Sequence, residues 1–248
     1  MGSTQTREPT GPSPTWHDAP DRDALAAIVA AHIVAALRAA VAARGSASLV
    51  VPGGNTPVPV FERLSTADLA WERVTVTLTD ERFVDEADPH SNAALIRRHL
   101  LTDKAAAARF VSLKRPGSTP SETLGDVARD LAAVGRPFDV VMLGMGGDGH
   151  VASLFPRADG VEAALDPAGP DTVCAIVPDP LPDNAPFARI SLTAGALFDA
   201  RAVILMVTGA DKKTVLETAT AAKAPPCALP VRAVLEQDRA PLTIFWSA

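Results

Sequence analysis

An α/β fold, built on a mostly parallel sheet covered by helices on both faces, follows from three features of the sequence. Strand-like and helix-like segments alternate along the chain. Several of the strand-like runs, FDVVMLG (138–144) and AVILMVTG (202–209) among them, are apolar at nearly every position, the pattern of strands buried on both faces. Two of them empty directly into glycine-rich turns, as a strand does where a ligand approaches beyond its carboxyl end.

The opening stretch, MGSTQTREPTGPSPTWHDAP, is rich in Pro, Thr and Ser and has no apolar run long enough for a signal peptide. Residues 1–18 are therefore expected to form a flexible tail, and residues 19–248 a single α/β domain. From Asp21 to Arg44, Leu25, Ile28, Val29, Ile33, Leu37 and Val41 recur at steps of three and four, which predicts a long amphipathic helix ended by Gly45. ASLVV (47–51) is then a short strand running into Gly53-Gly54. Further strands are expected at 73–80, 109–113, 138–144, 172–177, 188–193, 202–209 and 242–246, from β-branched and apolar runs between turn residues. Helices are expected at 58–65, 92–101, 122–135 and 212–220. The loops 52–57, 80–92 and 144–156 then converge at one end of the sheet. Pro and Asp are dense around 155–187, where a small lobe has room to form.

Composition excludes several functions. Of 248 residues, 47% are hydrophobic, enough for a well-covered core, and the formal net charge of −6 argues against a broad basic surface for nucleic acid or anionic membrane. The longest apolar stretches are broken by charged residues or glycine before the roughly 20 residues that span a bilayer, so no membrane segment is expected and the cytoplasm is the expected compartment. Cys174 and Cys227 lack C-x-x-C spacing and read as reduced structural thiols.

FDVVMLGMGGDGHVASLFP (138–156) carries the most information. Glycines at 144, 146, 147 and 149 let the backbone come close to a ligand and turn peptide N–H groups toward an anion. Asp148 and His150 lie among them. An imidazole takes a proton from water at neutral pH, and a neighbouring carboxylate can orient it and stabilise the imidazolium. VPGGNTP (51–57) offers the backbone N–H groups of Gly54 to Thr56 and the Thr56 hydroxyl before a helix, a setting that favours phosphate; an ordinary strand-to-helix turn is the plain alternative. In TDERF (79–83), Asp80 and Glu81 can act as base or acceptors and Arg82 can clamp an anion, unless the three form only a solvated charge cluster. Arg189 and Lys212 are two further cations, whereas Lys213 is expected to face solvent. His17, His32, His90 and His99 form no metal-ligand spacing. GMGGDG is neither a P-loop nor a dinucleotide fingerprint, and no G-x-S-x-G elbow is present. No metal and no nucleotide cofactor is expected, and water is the natural nucleophile.

PGGNTP, TDERFVDEADPHSN, FDVVMLGMGGDGHVASLFP, RISLT and VTGADKK together resemble the 6-phosphogluconolactonases over roughly residues 20–246. The resemblance implies the fold shared with glucosamine-6-phosphate deaminases and ribose-5-phosphate isomerases, and the hydrolysis of 6-phosphoglucono-δ-lactone to 6-phosphogluconate in the oxidative pentose phosphate pathway. It implies His150 as catalytic base with Asp148 beside it. It places Gly53, Gly54, Asn55 and Thr56 on the sugar phosphate with the basic residues Arg189 and Lys212 near it, and the acidic-arginine motif on Asp80, Glu81 and Arg82, of which Asp80 and Arg82 are expected to bind the substrate. Pro52, where a serine is common, and Val58 depart from the pattern. The expected ligand is a small sugar-phosphate lactone, and the chain is expected to act as a monomer or weak homo-oligomer. Two other readings stay open. A deaminase would need an acid where Phe155 stands, and a non-catalytic sensor would have lost His150 or Asp148.

Overall fold

The computed structural model describes residues 13–178, 181, 186–221 and 225–248. Its main sheet has seven strands, all paired in parallel, in the order β1-β10-β9-β6-β2-β3-β5. In chain order these are β1 (Thr15–Ala19), β2 (Ala47–Val51), β3 (Val74–Leu78), β5 (Arg109–Val111), β6 (Val140–Leu143), β9 (Val203–Thr208) and β10 (Leu242–Ser247). A second, antiparallel sheet joins β4 (Asp80–Arg82), β8 (Arg189–Leu192) and β7 (Val173–Ile176) in that order. The helices are α1 (Arg22–Arg44), α2 (Val58–Ser65), α3 (Asn92–His99), α4 (Pro120–Ala132), α5 (Val161–Ala164), α6 (Ala194–Leu197), α7 (Ala210–Ala221) and α8 (Val231–Glu236).

β2 and β6 are buried at every residue, which explains their unbroken apolar composition. α1 begins at Asp21, whose side chain accepts from Ala24 N, and ends at Gly45, whose N–H bonds Val41 O. By length and composition this helix could cross a membrane, which the expectation from charge interruptions did not allow for. In the fold its Leu25, Val29, Ile33 and Leu37 are fully buried, and the helix packs on β2, β6 and β10. Trp71, Phe61, Phe138 and Phe245 fill the rest of the core without measurable exposure beyond 1%.

The expected tail is corrected at its inner end. Residues 15–19 form β1, an edge strand in register with β10 from Thr15↔Thr243 to Ala19↔Ser247. Only Ala19 of the five is buried, so no apolar alternation marked the strand; backbone pairing and the stacking of His17 on Phe245 at 5.0 Å hold it. Residues 1–12 of that tail lie outside the described residues. The strand expected at 73–80 is also corrected: it breaks at Thr79, and Asp80–Arg82, expected in a loop, turn away to pair with β8. The runs 172–177 and 188–193 are strands, but they belong to the small sheet.

Right-handed crossovers set where ligands can enter. From β2 the chain steps through β3 to β5 on one side, while from β6 it steps through β9 to β10 on the other. α1 packs with α2 and α7 with α8, and the right-handed rule assigns the two pairs to opposite faces. β2 and β6 are neighbours at this reversal, so the loops after them part and leave a crevice at their carboxyl ends.

Candidate active site

The loop after β6 folds back on itself through Gly146 N→His150 O at 2.9 Å and Gly149 N→Gly146 O at 3.1 Å. This turn brings His150 Nδ1 to 2.6 Å from Asp148 Oδ1, and His150 N to 3.1 Å from the same oxygen. An acceptor on Nδ1 selects the tautomer protonated there and leaves Nε2 to take a proton. Burial works to raise the Asp148 carboxyl, but the hydrogen bonds and charge of His150 outweigh it and hold the group below its ordinary value. Asp148 is thus a carboxylate suited to balance an imidazolium.

Gly146 is required by this packing. A Cβ there would sit 2.2 Å from Nδ1 and Cε1 of His150 and 2.7 Å from Asp148 Oδ1. Phe155 packs against the ring, with centroids 4.3 Å apart. The segment after α7 supports the turn from behind, through Val231 N→Gly149 O at 2.9 Å and Leu229 against Gly149. Gly146→Ala is expected to displace the imidazole, and a shift near 1 Å costs on the order of a hundredfold in rate. Steady-state kinetics beside a melting curve check this; full activity would show that the loop absorbs the methyl.

On the facing side, β4 carries three residues with three different tasks. Asp80 is buried, and its two oxygens accept from Thr79 Oγ1 at 2.7 Å and Ser153 Oγ at 2.6 Å. Glu81 points inward: it accepts from Arg82 N, Asn92 N and Ala93 N, each at 2.7 Å, and so caps the start of α3. Burial pushes its carboxyl up to about 7 against those donors. Arg82 extends along the cavity wall with Nη1 bonded to His90 O and Asn92 Oδ1, both at 2.7 Å. Arg189 stands opposite Arg82 in the ladder and is buried, with Nε donating to Phe187 O at 3.0 Å. Burial first, and then Arg82 beside it, pull its guanidinium down to about 10. Two adjacent cations with one face on a cavity have the charge and the donors to receive an anion.

One cavity of about 820 Å³ is lined by Gly53, Gly54, Thr56, Asp80, Arg82, Asp148, His150, Arg189 and Lys212. Nine of the ten residues that the resemblance implies as catalytic or binding therefore meet at one place. Asn55 is the exception: it is exposed, lies outside the lining, and its carbonyl accepts from Val58 N at the start of α2. Lys212 lies on the wall beside the His150 loop and donates through Nζ to Met145 O at 2.5 Å, with burial lowering its ammonium from the ordinary value. Lys213 does not simply face solvent, since its Nζ lies 3.9 Å from the Trp246 ring. Among the described residues, no group of three or more His, Cys, Asp or Glu is placed to hold a metal.

Residues 20–246 match the model of the glucosamine-6-phosphate isomerases/6-phosphogluconolactonase family. The chain belongs to this family. A 6-phosphogluconolactonase of Caulobacter vibrioides is 44% identical over 227 residues, covering 91% of this chain and 94% of its own. One of Mesorhizobium japonicum is 40% identical over 240 residues, 96% of this chain and 97% of its own. The crystal structure of a 6-phosphogluconolactonase from Shewanella baltica superposes with a TM-score of 0.89 at 38% identity, covering 95% of this chain and 98% of that one.

Against this family background, three residues of the cavity escaped the reading of the sequence. Asn92 lines the wall and holds Arg82; in the sequence it is only the first residue of a helix. Ser153 ties the His150 loop to Asp80 across 73 positions, and Phe155 supplies the apolar cover of the imidazole. Only Phe155 left a trace, as an aromatic residue where the deaminase pattern has an acid.

Proposed function

We propose that this chain hydrolyses 6-phosphoglucono-δ-lactone to 6-phosphogluconate, with water activated by His150 and with residues 15–248 acting as one catalytic domain. The observation that carries the reading is the Asp148–His150 pair at 2.6 Å on one wall of the cavity, with Arg82 and Arg189 on another. Nε2 of His150 takes a proton from water as the oxygen adds to the lactone carbonyl. The tetrahedral oxyanion gains hydrogen bonds from backbone N–H groups or an arginine at the cavity wall. When the ring C–O bond breaks, the imidazolium returns its proton to the leaving ring oxygen, which becomes the hydroxyl of the open-chain acid. Asp148 holds the ring in one tautomer throughout and balances its charge.

The phosphate of the substrate is assigned to Arg82, Arg189 and the Gly53-Gly54-Thr56 loop, while Lys212, expected at the phosphate from the resemblance, is assigned to the His150 loop through its bond to Met145 O. Asp80 is a binding group in this scheme, because both its oxygens already accept hydroxyl protons. Deamination of an amino sugar phosphate is less well supported: Phe155, an apolar ring on the histidine, stands where that chemistry needs an acid. A cytoplasmic, soluble enzyme fits the reading. Freshly generated phosphogluconolactone, followed by pH-stat and by a coupled dehydrogenase, is expected to be consumed far faster with enzyme than without, while glucosamine 6-phosphate releases no ammonia. Ammonia release without lactone consumption would replace this reading with the deaminase one.

A further inference from the structure

Asn92 is nearly fully buried at 1% exposure, yet its side chain reaches the wall of the cavity. Each of its polar groups is engaged. Oδ1 accepts from Arg82 Nη1 at 2.7 Å, Nδ2 donates to Asp80 O at 2.9 Å, and the backbone N–H donates to Glu81 Oε1 at 2.7 Å. Its amide also forms the bed of the glycine loop. A Cβ built on Gly53 would lie 1.9 Å from Asn92 Oδ1, 2.2 Å from Cγ and 2.5 Å from Nδ2, and those are its three nearest atoms. One planar side chain therefore touches both parts of the wall that carry anion donors: the backbone after β2 and the guanidinium from β4. The guanidinium it holds has Nη1 occupied, while Nε is buried without a hydrogen-bond partner among the described residues. A donor in that condition costs free energy until an acceptor meets it.

We infer that Asn92 is a positioning residue that locks the Arg82 guanidinium to the Gly53-Gly54 loop, so that the two act as a single receptor for the phosphoryl group of the ligand. The inference rests on the reading of this cavity as a sugar-phosphate site. Fixing a planar fork before binding lowers the ordering cost of each hydrogen bond it makes. Its bond to Asp80 O holds the amide in place, and Asn92 reaches the ligand only through Arg82 and the glycine loop, so removing it should matter for the phosphoryl group to the extent that they matter.

The test is a set of single and paired substitutions read by calorimetry with 6-phosphogluconate, by kinetics on phosphorylated and plain gluconolactone, and by Tm. Asn92→Ala is expected to weaken 6-phosphogluconate about 10- to 100-fold, the range for a lost charge-assisted contact, and to alter kcat/KM for plain gluconolactone by less than about threefold. In an Arg82→Ala background the same change should add under about threefold, since contacting residues are not additive. The steric arm needs no ligand. Gly53→Ala is expected to lower Tm by about 2–10 °C through overpacking, and in the Asn92→Ala background most of that loss should vanish. Full additivity with Arg82→Ala, equal losses on both lactones, or an unrelieved Gly53→Ala would each overturn the inference. Should Asn92→Ala not fold, Asn92→Ser must give the same relief of Gly53→Ala. A wild type that binds 6-phosphogluconate but hydrolyses no lactone would fail the proposed reaction while leaving the positioning role standing.

Discussion

His150→Ala is expected to lower kcat for the phosphorylated lactone by about two to four orders of magnitude, the usual contribution of a positioned acid–base group. Melting temperature and affinity for 6-phosphogluconate should stay near wild type. The ring is partly exposed, its Nδ1 bonds a carboxylate that is itself half open to solvent, and the phosphate donors stand on another wall. Loss of kcat without loss of binding is the signature of a group that acts on the transition state. Asp148→Asn should cost less, about 10- to 100-fold, because an amide still accepts from Nδ1 but no longer balances the imidazolium. A His150→Ala enzyme with near-normal kcat would mean that the lactone is opened by another base.

Phosphogluconolactone is expected to exceed plain gluconolactone by at least about a hundredfold in kcat/KM, because two buried charge-assisted hydrogen bonds contribute roughly 1.5–3 kcal/mol each. The cations should divide by wall. Arg189→Ala should erase much of that preference while sparing the plain lactone, whereas Lys212→Ala should slow both, since Lys212 also holds Met145 O in the His150 loop. Even at about 10 the Arg189 group stays protonated through neutral pH, so any change in the preference between about pH 6 and 8 should follow the second ionisation of the substrate's phosphate, at about 6, and not Arg189. Lys213→Ala is the control: kinetically neutral, with a stability loss of about 0.5–1 kcal/mol from the contact with Trp246. Parallel kinetics on the two lactones decide the matter, and equal efficiency would remove phosphate recognition from the account.

Much of this was legible in the residues. Fully apolar runs such as VVML (140–143) announce a buried parallel strand, and glycines directly after one announce a loop that meets a ligand. The small sheet was not legible, because β4 has three residues, DER, too few and too charged to show alternation, and is a strand only because β8 lies beside it. β1 was hidden for a related reason: an exposed edge strand is held by its backbone, and the backbone writes nothing into side-chain periodicity. Arg82 could be picked out as a cation, but its anchor Asn92 could not. The contact between Gly53 and Asn92 spans 39 positions, and the glycine there looks like any turn residue until the amide packed on it is seen. Glu81, beside two cavity residues in sequence, turns inward to α3, as alternation along a strand requires.

The reversal of strand order between β2 and β6 gives the enzyme two separately evolvable halves. In the proposed reading, the phosphate grip comes from the β2 loop, the start of α3 and the paired strands β4 and β8, and the proton handling from the β6 loop, α7 and the segment before α8. Ser153 Oγ to Asp80 Oδ2, at 2.6 Å, is a direct bond between them. A lineage can therefore rebuild the proton-handling half, exchanging Phe155 for an acid for instance, while inheriting the phosphate grip intact.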